Sequence, residues 1–141
     1  MTQDDKKILF KTLCALLPYK AKVHVEHDVF YDEREPYDTE LNLSVLYNRC
    51  AGMEIKPYLR PLSSMTDEEK EECASIFNTS LFFFQFKVNE YGDIESTKEA
   101  NDYLYYDCEL MSKWIDWLNE HHFDYRGLIE KGLAIEIKNM Q

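Results

Sequence analysis

Residues 121–137, HHFDYRGLIEKGLAIEI, gather more potential chemistry than any other part of the chain. His121, His122, Asp124 and Arg126 fall within six residues. An imidazole beside a carboxylate is the pairing that general acid–base or metal-assisted hydrolysis requires. On that basis a small hydrolase or metal-dependent enzyme using His121 or His122 with Asp124 is one reading of the chain. Adjacent histidines cannot both point the same way, however, and neither has a glutamate at the HExxH spacing. The same residues also suit a joint. A histidine at a helix C-terminus can donate to orphan carbonyls. Asp124 is an apt N-cap for a short helix over YRGLIEK, accepting from the Arg126 or Gly127 amides, with Gly132 closing it. Arg126 would then pair with Asp124, Glu130 or an acid on the preceding helix.

The other histidine pair is His24 and His27. On a strand, a spacing of three puts them on opposite faces, with Glu26 beside His24. A His-Glu-His metal site there would need a bulge. Cys14, Cys50, Cys73 and Cys108 include no CxxC, so the ligand pairs of a zinc site are missing. They read as reduced, mostly buried thiols of a cytoplasmic protein. Cys50, next to Arg49, could be an activated thiol, but no base stands beside it. No glycine-rich phosphate loop, nucleophile elbow or kinase signature is present. Nothing singles out a catalytic residue, a metal or a cofactor, and binding is favoured over catalysis.

The net charge of −11 is concentrated in three windows. Residues 26–40 and 90–109 each hold seven acids against one base, and residues 67–72 hold five against one. That sign opposes direct binding of nucleic acid or an anionic membrane. It suits solubility, nucleic-acid mimicry or docking on a basic protein partner. Tyr105 and Tyr106, in the ring-rich run YLYYDCELMSKWIDW (103–117), are candidates for such an interface together with Trp117. If they are not, the run covers an aromatic core. The N-terminus has acids where a signal peptide is basic, and no apolar run approaches a membrane span.

The elements that must position these residues are legible in outline. Residues 2–17 form a helix capped by Thr2 and stopped by Pro18, with Leu9, Phe10, Leu13, Leu16 and Leu17 on one stripe. AKVHVEHDVFY (21–31) and TELNLSVLY (39–47) alternate as strands and are expected to pair antiparallel. Met53–Leu59 adds a short edge strand. Thr66 and Glu69 make a capping box for a helix running to about Phe77. LFFFQFKV (81–88) is apolar on both faces, as a central strand would be, and EYGD (90–93) turns the chain. A long helix spans about 96–121, and LAIEI ends the fold as a strand. The sum is a single α+β domain over 1–141: a small, mainly antiparallel sheet packed by one long helix and two or three shorter helices.

Three segments, CALLPYKAKV (14–23), IKPYLRPLSSMTDEEKEE (55–72) and WLNEHHFDYRGLIEKGLAIE (117–136), resemble a group of small proteins from the genomes of gut Bacteroidales and their phages and prophages. The resemblance implies a phage or mobile-element origin. It brings no activity, cofactor or catalytic residue. The expectation is therefore an accessory protein that engages a host protein through an acidic, tyrosine-rich surface. An oligomeric structural component is a third possibility.

Overall fold

The structure, a computed structural model, describes residues 2–27, 35–50, 54–78, 87–95 and 108–137. It is α+β, with four helices and a five-stranded, mostly antiparallel sheet among the described residues. The chain forms two compact units, Met1–Arg60 with His122–Gln141, and Pro61–His121.

In the first unit, helix α1 (Gln3–Leu16) starts where expected. The Asp5 amide donates to Thr2 Oγ1 at 3.0 Å and the Thr2 amide donates back to Asp5 Oδ2 at 3.4 Å. This reciprocal cap satisfies two of the donors that every helix start leaves orphaned. Leu9, Leu13 and Leu16 are buried, whereas Phe10 and Cys14 are exposed, so the apolar stripe is narrower than expected and Cys14 is not a core thiol. A 3-10 turn through Pro18 ends in Lys20 with φ 52°, and the chain enters strand β1 (Lys22–His27). Ala21, Val23 and Val25 face the core, while Lys22, His24 and Glu26 take the other side.

β1 pairs antiparallel with β2 (Tyr37–Glu40), His24 opposite Asp38 and Lys22 opposite Glu40. The expected pairing is present, but the partner strand ends at Glu40. Residues 43–47, expected to continue it, belong instead to helix α2 (Leu43–Cys50). Asn42 explains the change: its Oδ1 accepts from the Val45 amide at 2.9 Å, and its carbonyl accepts from the Leu46 amide at 3.0 Å. That cap switches the apolar period from two to three-and-four. Val45 and Leu46 then pack on the core, and Leu43 and Tyr47 face outward.

β3 (Glu54–Pro61) is the second correction. Expected at an edge, it is central: it pairs antiparallel with β1, lies beside β6 (Phe123–Asp124), and pairs parallel with β7 (Ile135–Glu136). Pro57 is the last β3 residue registered with β1, opposite Val23, and the β7 pairing begins at Tyr58. The missing proline N–H therefore falls where one ladder ends. The terminal LAIEI strand exists, shortened to two residues.

The YRGLIEK segment is a hydrogen-bonded turn and not a helix. Gly127 has φ 74°, a left-handed step that α-helix cannot contain. The Lys131 amide reaches the Gly127 carbonyl, and the Leu133 amide reaches that of Leu128 at 2.9 Å.

In the second unit, the expected capping box opens helix α3 (Asp67–Asn78), with Thr66 and Glu69 exchanging bonds of 3.0 and 3.2 Å. Lys87–Val88 (β4) and Ile94–Glu95 (β5) make a two-stranded hairpin. Asn89 Oδ1 organises its turn by accepting from the Tyr91 and Asp93 amides. Most of the aromatic strand expected over 81–88 lies outside the described residues. So do residues 96–107 of the expected long helix, whose described part is α4 (Cys108–Glu120). Leu110, Trp117 and Leu118 are buried on it, and Trp117 Nε1 donates to Glu72 Oε1 of α3 at 2.9 Å.

Gly92 is the tightest point of this unit. With φ 82°, it is buried, and a Cβ built on it would lie 2.3 Å from the Leu62 carbonyl oxygen. Gly132 has a similar φ of 74° with nothing within 4 Å. Gly132→Ala is expected to cost about 1 kcal/mol from backbone strain alone. Gly92→Ala should cost clearly more, roughly 3 kcal/mol, because the backbone must also shift. Urea denaturation of both variants checks the order, and equal losses would show that the Leu62 contact relaxes freely.

Candidate functional site

His121, at the end of α4, lies in the second unit. Its Nδ1 is 2.9 Å from the Trp117 carbonyl, and its ring stacks on Trp117 at 4.2 Å. A carbonyl only accepts, so Nδ1 carries the proton and the ring serves the helix terminus.

His122, Asp124 and Arg126 belong to the first unit, and each is directed to a different part of it. His122 has φ 61°, a left-handed conformation that closes helices but is usually left to glycine. Its Nε2 donates to the Tyr19 carbonyl at 3.2 Å, and its own carbonyl accepts the Arg60 amide at 2.8 Å. Asp124 accepts from the Leu128 amide at Oδ1 and the Ile129 amide at Oδ2, both at 2.9 Å. These are two residues further along than the expected Arg126 and Gly127 amides, because the left-handed step at Gly127 delays the turn. Arg126 donates from Nη1 to Thr12 Oγ1 at 3.2 Å and lies 5.2 Å from the Tyr125 ring centre. Thr12 and the ring replace the acidic partners expected for it. Tyr105 and Tyr106 lie outside the described residues, and Trp117, expected to join them at an interface, is buried.

A second cluster, which the sequence reading did not assemble, stands on the open face of β1, β2 and β3. His24 Nδ1 is 2.8 Å from Asp38 Oδ1, and its Nε2 is 2.9 Å from Glu26 Oε2. The Tyr58 hydroxyl donates to the same Asp38 oxygen at 2.8 Å. Lys22 Nζ lies 3.4 Å from Asp38 Oδ2 and 4.7 Å from the centre of the Tyr58 ring. Register explains the gathering, since residues directly opposite in antiparallel strands share a face and nearly touch.

Asp38 and, with it, Glu26 hold the His24 imidazole protonated to higher pH than usual, outweighing its partial desolvation. His24, followed by Tyr58, holds the Asp38 carboxyl below its ordinary range. Burial, reinforced by Asp38, raises the Tyr58 phenol. An imidazolium between two carboxylates is a charge clamp and not a base or nucleophile, because both ring nitrogens carry protons.

Among the described residues, no group of three or more His, Cys, Asp and Glu is arranged to hold a metal ion. A register shift does fall between Val25 and His27. It removes the simple parity argument for His27, whose side chain lies outside the description. Cys73 is buried, and burial pushes its thiol up to about 11, which leaves it unreactive at neutral pH.

Two measurements follow from these geometries. Asp124→Asn keeps one carbonyl acceptor for two amides and is expected to cost about 1 kcal/mol, and Asp124→Ala about 2 kcal/mol. Equal stability of all three proteins would remove the cap. For the clamp, His24 titrates above its ordinary 6.5, so its contribution is full below that value and fades as pH rises through the folded midpoint. Asp38 titrates below its ordinary 3.8, so its contribution is present above that value and fades as pH falls through the folded midpoint. The stability difference between the wild type and His24→Gln should thus be greatest between pH 3.8 and 6.5 and shrink on both sides. Urea midpoints across pH test this, and a difference that keeps growing above neutrality would contradict it.

No family model, curated protein or solved structure matches the chain, so the arrangement of these two clusters and of the surface around them is what a functional assignment must rest on.

Proposed function

We propose that the protein is an accessory protein of phage or mobile-element type that works in the cytoplasm by binding a host protein. The observation that supports this reading most directly is the outer side of α2. Leu43 is 71% exposed and Tyr47 is 75% exposed, and residues four apart on a helix form one patch. An exposed leucine alone is ordinary; a leucine and a tyrosine side by side offer a partner an apolar contact with a polar tip. Glu40 lies exposed a few residues earlier in the chain. A protein surface with an apolar socket bordered by Lys and Arg would complement both features. The resemblance to Bacteroidales phage and prophage proteins supports the accessory role and indicates the host in which to look. No described helix is long and apolar enough to cross a membrane.

The test uses tagged wild-type protein and the double variant Leu43→Ser/Tyr47→Ser on a nuclease-treated lysate of a gut Bacteroidales bacterium. Both side chains are exposed, so the variant should fold with an unchanged circular dichroism spectrum. The wild type is expected to retain a protein that the variant loses at least tenfold, and retention should weaken as salt is raised. Identical recoveries from both, or none above background, would overturn the reading.

A further inference from the structure

The His24 clamp has a geometry that cannot survive the loss of one proton unchanged. A carboxylate only accepts, so Asp38 and Glu26 both need an N–H from the ring they flank. The imidazolium has two such N–H groups, whereas neutral imidazole has one, with a lone pair on the other nitrogen. Deprotonation must therefore set one carboxylate against a lone pair, and that carboxylate has to leave.

The surroundings decide which one. Asp38 is anchored on three sides: it receives His24 at 2.8 Å, the Tyr58 hydroxyl at 2.8 Å and Lys22 at 3.4 Å. Glu26 meets the cluster through His24 and is 54% exposed, against 38% for Asp38, so it can turn into water at little cost. Among the described residues, the remaining charged and titratable groups on this side of the sheet include Glu40 on β2, opposite Lys22, Lys56 on β3, opposite His24, and the exposed Glu54 at the start of β3. None of them changes which of the two carboxylates is the better anchored, since Asp38 is held by Tyr58 and Lys22 as well as by His24.

We propose that His24 is a proton-operated switch: the imidazolium bridges Asp38 and Glu26, and on deprotonation the ring keeps its Nδ1–H on Asp38 and releases the Glu26 carboxylate. The device shifts the charge of this sheet face by one and frees an acceptor for a cation or a basic side chain. It needs no partner and stands independently of the binding function proposed above.

Long-range ¹H–¹⁵N correlation of the His24 ring in the full-length protein, from about pH 4 to about pH 9, reads the tautomer directly. The neutral ring is expected as the Nδ1–H form, with the Glu26 carboxylate ¹³C shift moving at the same midpoint as His24. An Nε2–H ring, or a Glu26 signal that ignores the His24 midpoint, would overturn the proposal. Variants give a second reading. Glu26→Gln, a change at an exposed side chain, should lower the His24 midpoint while leaving the Nδ1–H tautomer. Asp38→Asn should lower the midpoint further and abolish the preference for that tautomer. If Glu26→Gln moves the ring to Nε2–H, Asp38 is not the retained partner and the proposal fails.

Discussion

The first unit depends on one strand having enough partners. β3 receives β1 along its first half, β6 through the Arg60–His122 bond, and β7 through parallel pairing completed by the Ile137 amide on the Leu59 carbonyl. Buried backbone groups must be paired, and a central strand pairs them while presenting side chains to the core. Ile55 and Leu59 are buried from this strand, against Leu13 and Leu16 of α1 and Val23 and Val25 of β1. Arg60 also belongs to this centre: its guanidinium lies 4.2 Å from the Phe123 ring centre, a cation–π contact at a buried position.

What the sequence reveals here follows the range of the interaction. The caps at Thr2 and Thr66 are readable because donor and acceptor stand three residues apart, and both helices begin where those signals place them. The α2 error is instructive for the same reason. Leu41, Leu43, Val45 and Tyr47 alternate as a strand would, yet Asn42 is a cap, and a local hydrogen bond outweighs an alternation only four residues deep. The short helix expected after Asp124 fails at Gly127, whose left-handed φ cannot be distinguished in sequence from a tolerated helical glycine. The central place of β3 has no local signal, because its partners come from distant segments. The His24 cluster shows the same division. His24 and Glu26 share a face by parity alone, but Asp38 and Tyr58 reach them only through a register set by pairing across long connections.

The two clusters use similar residue types for opposite ends. At residues 121–126, the imidazoles, the carboxylate and the guanidinium are engaged by backbone carbonyls, backbone amides and a threonine hydroxyl, leaving the joint well satisfied. On the open sheet face, the polar groups answer one another, and their bonds turn on a proton that His24 holds to higher pH than an ordinary imidazole. Chemical potential read from residue types thus overstated the first site and understated the second.

The Arg60–His122 bond has a further consequence, one of timing. It closes the first unit across the whole of residues 61–121, which form a unit of their own. As the chain leaves the ribosome, α1, β1, β2 and β3 emerge while β6 and β7 are still unmade, and β3 waits with part of its ladder unfilled. The inserted unit can compact in the meantime, and by doing so it shortens the loop that must close. Parallel pairing of β7 is then a late, non-local step of the kind that slows folding and exposes strand edges. In this architecture, the ladder of the central strand is completed only by residues that follow the inserted segment.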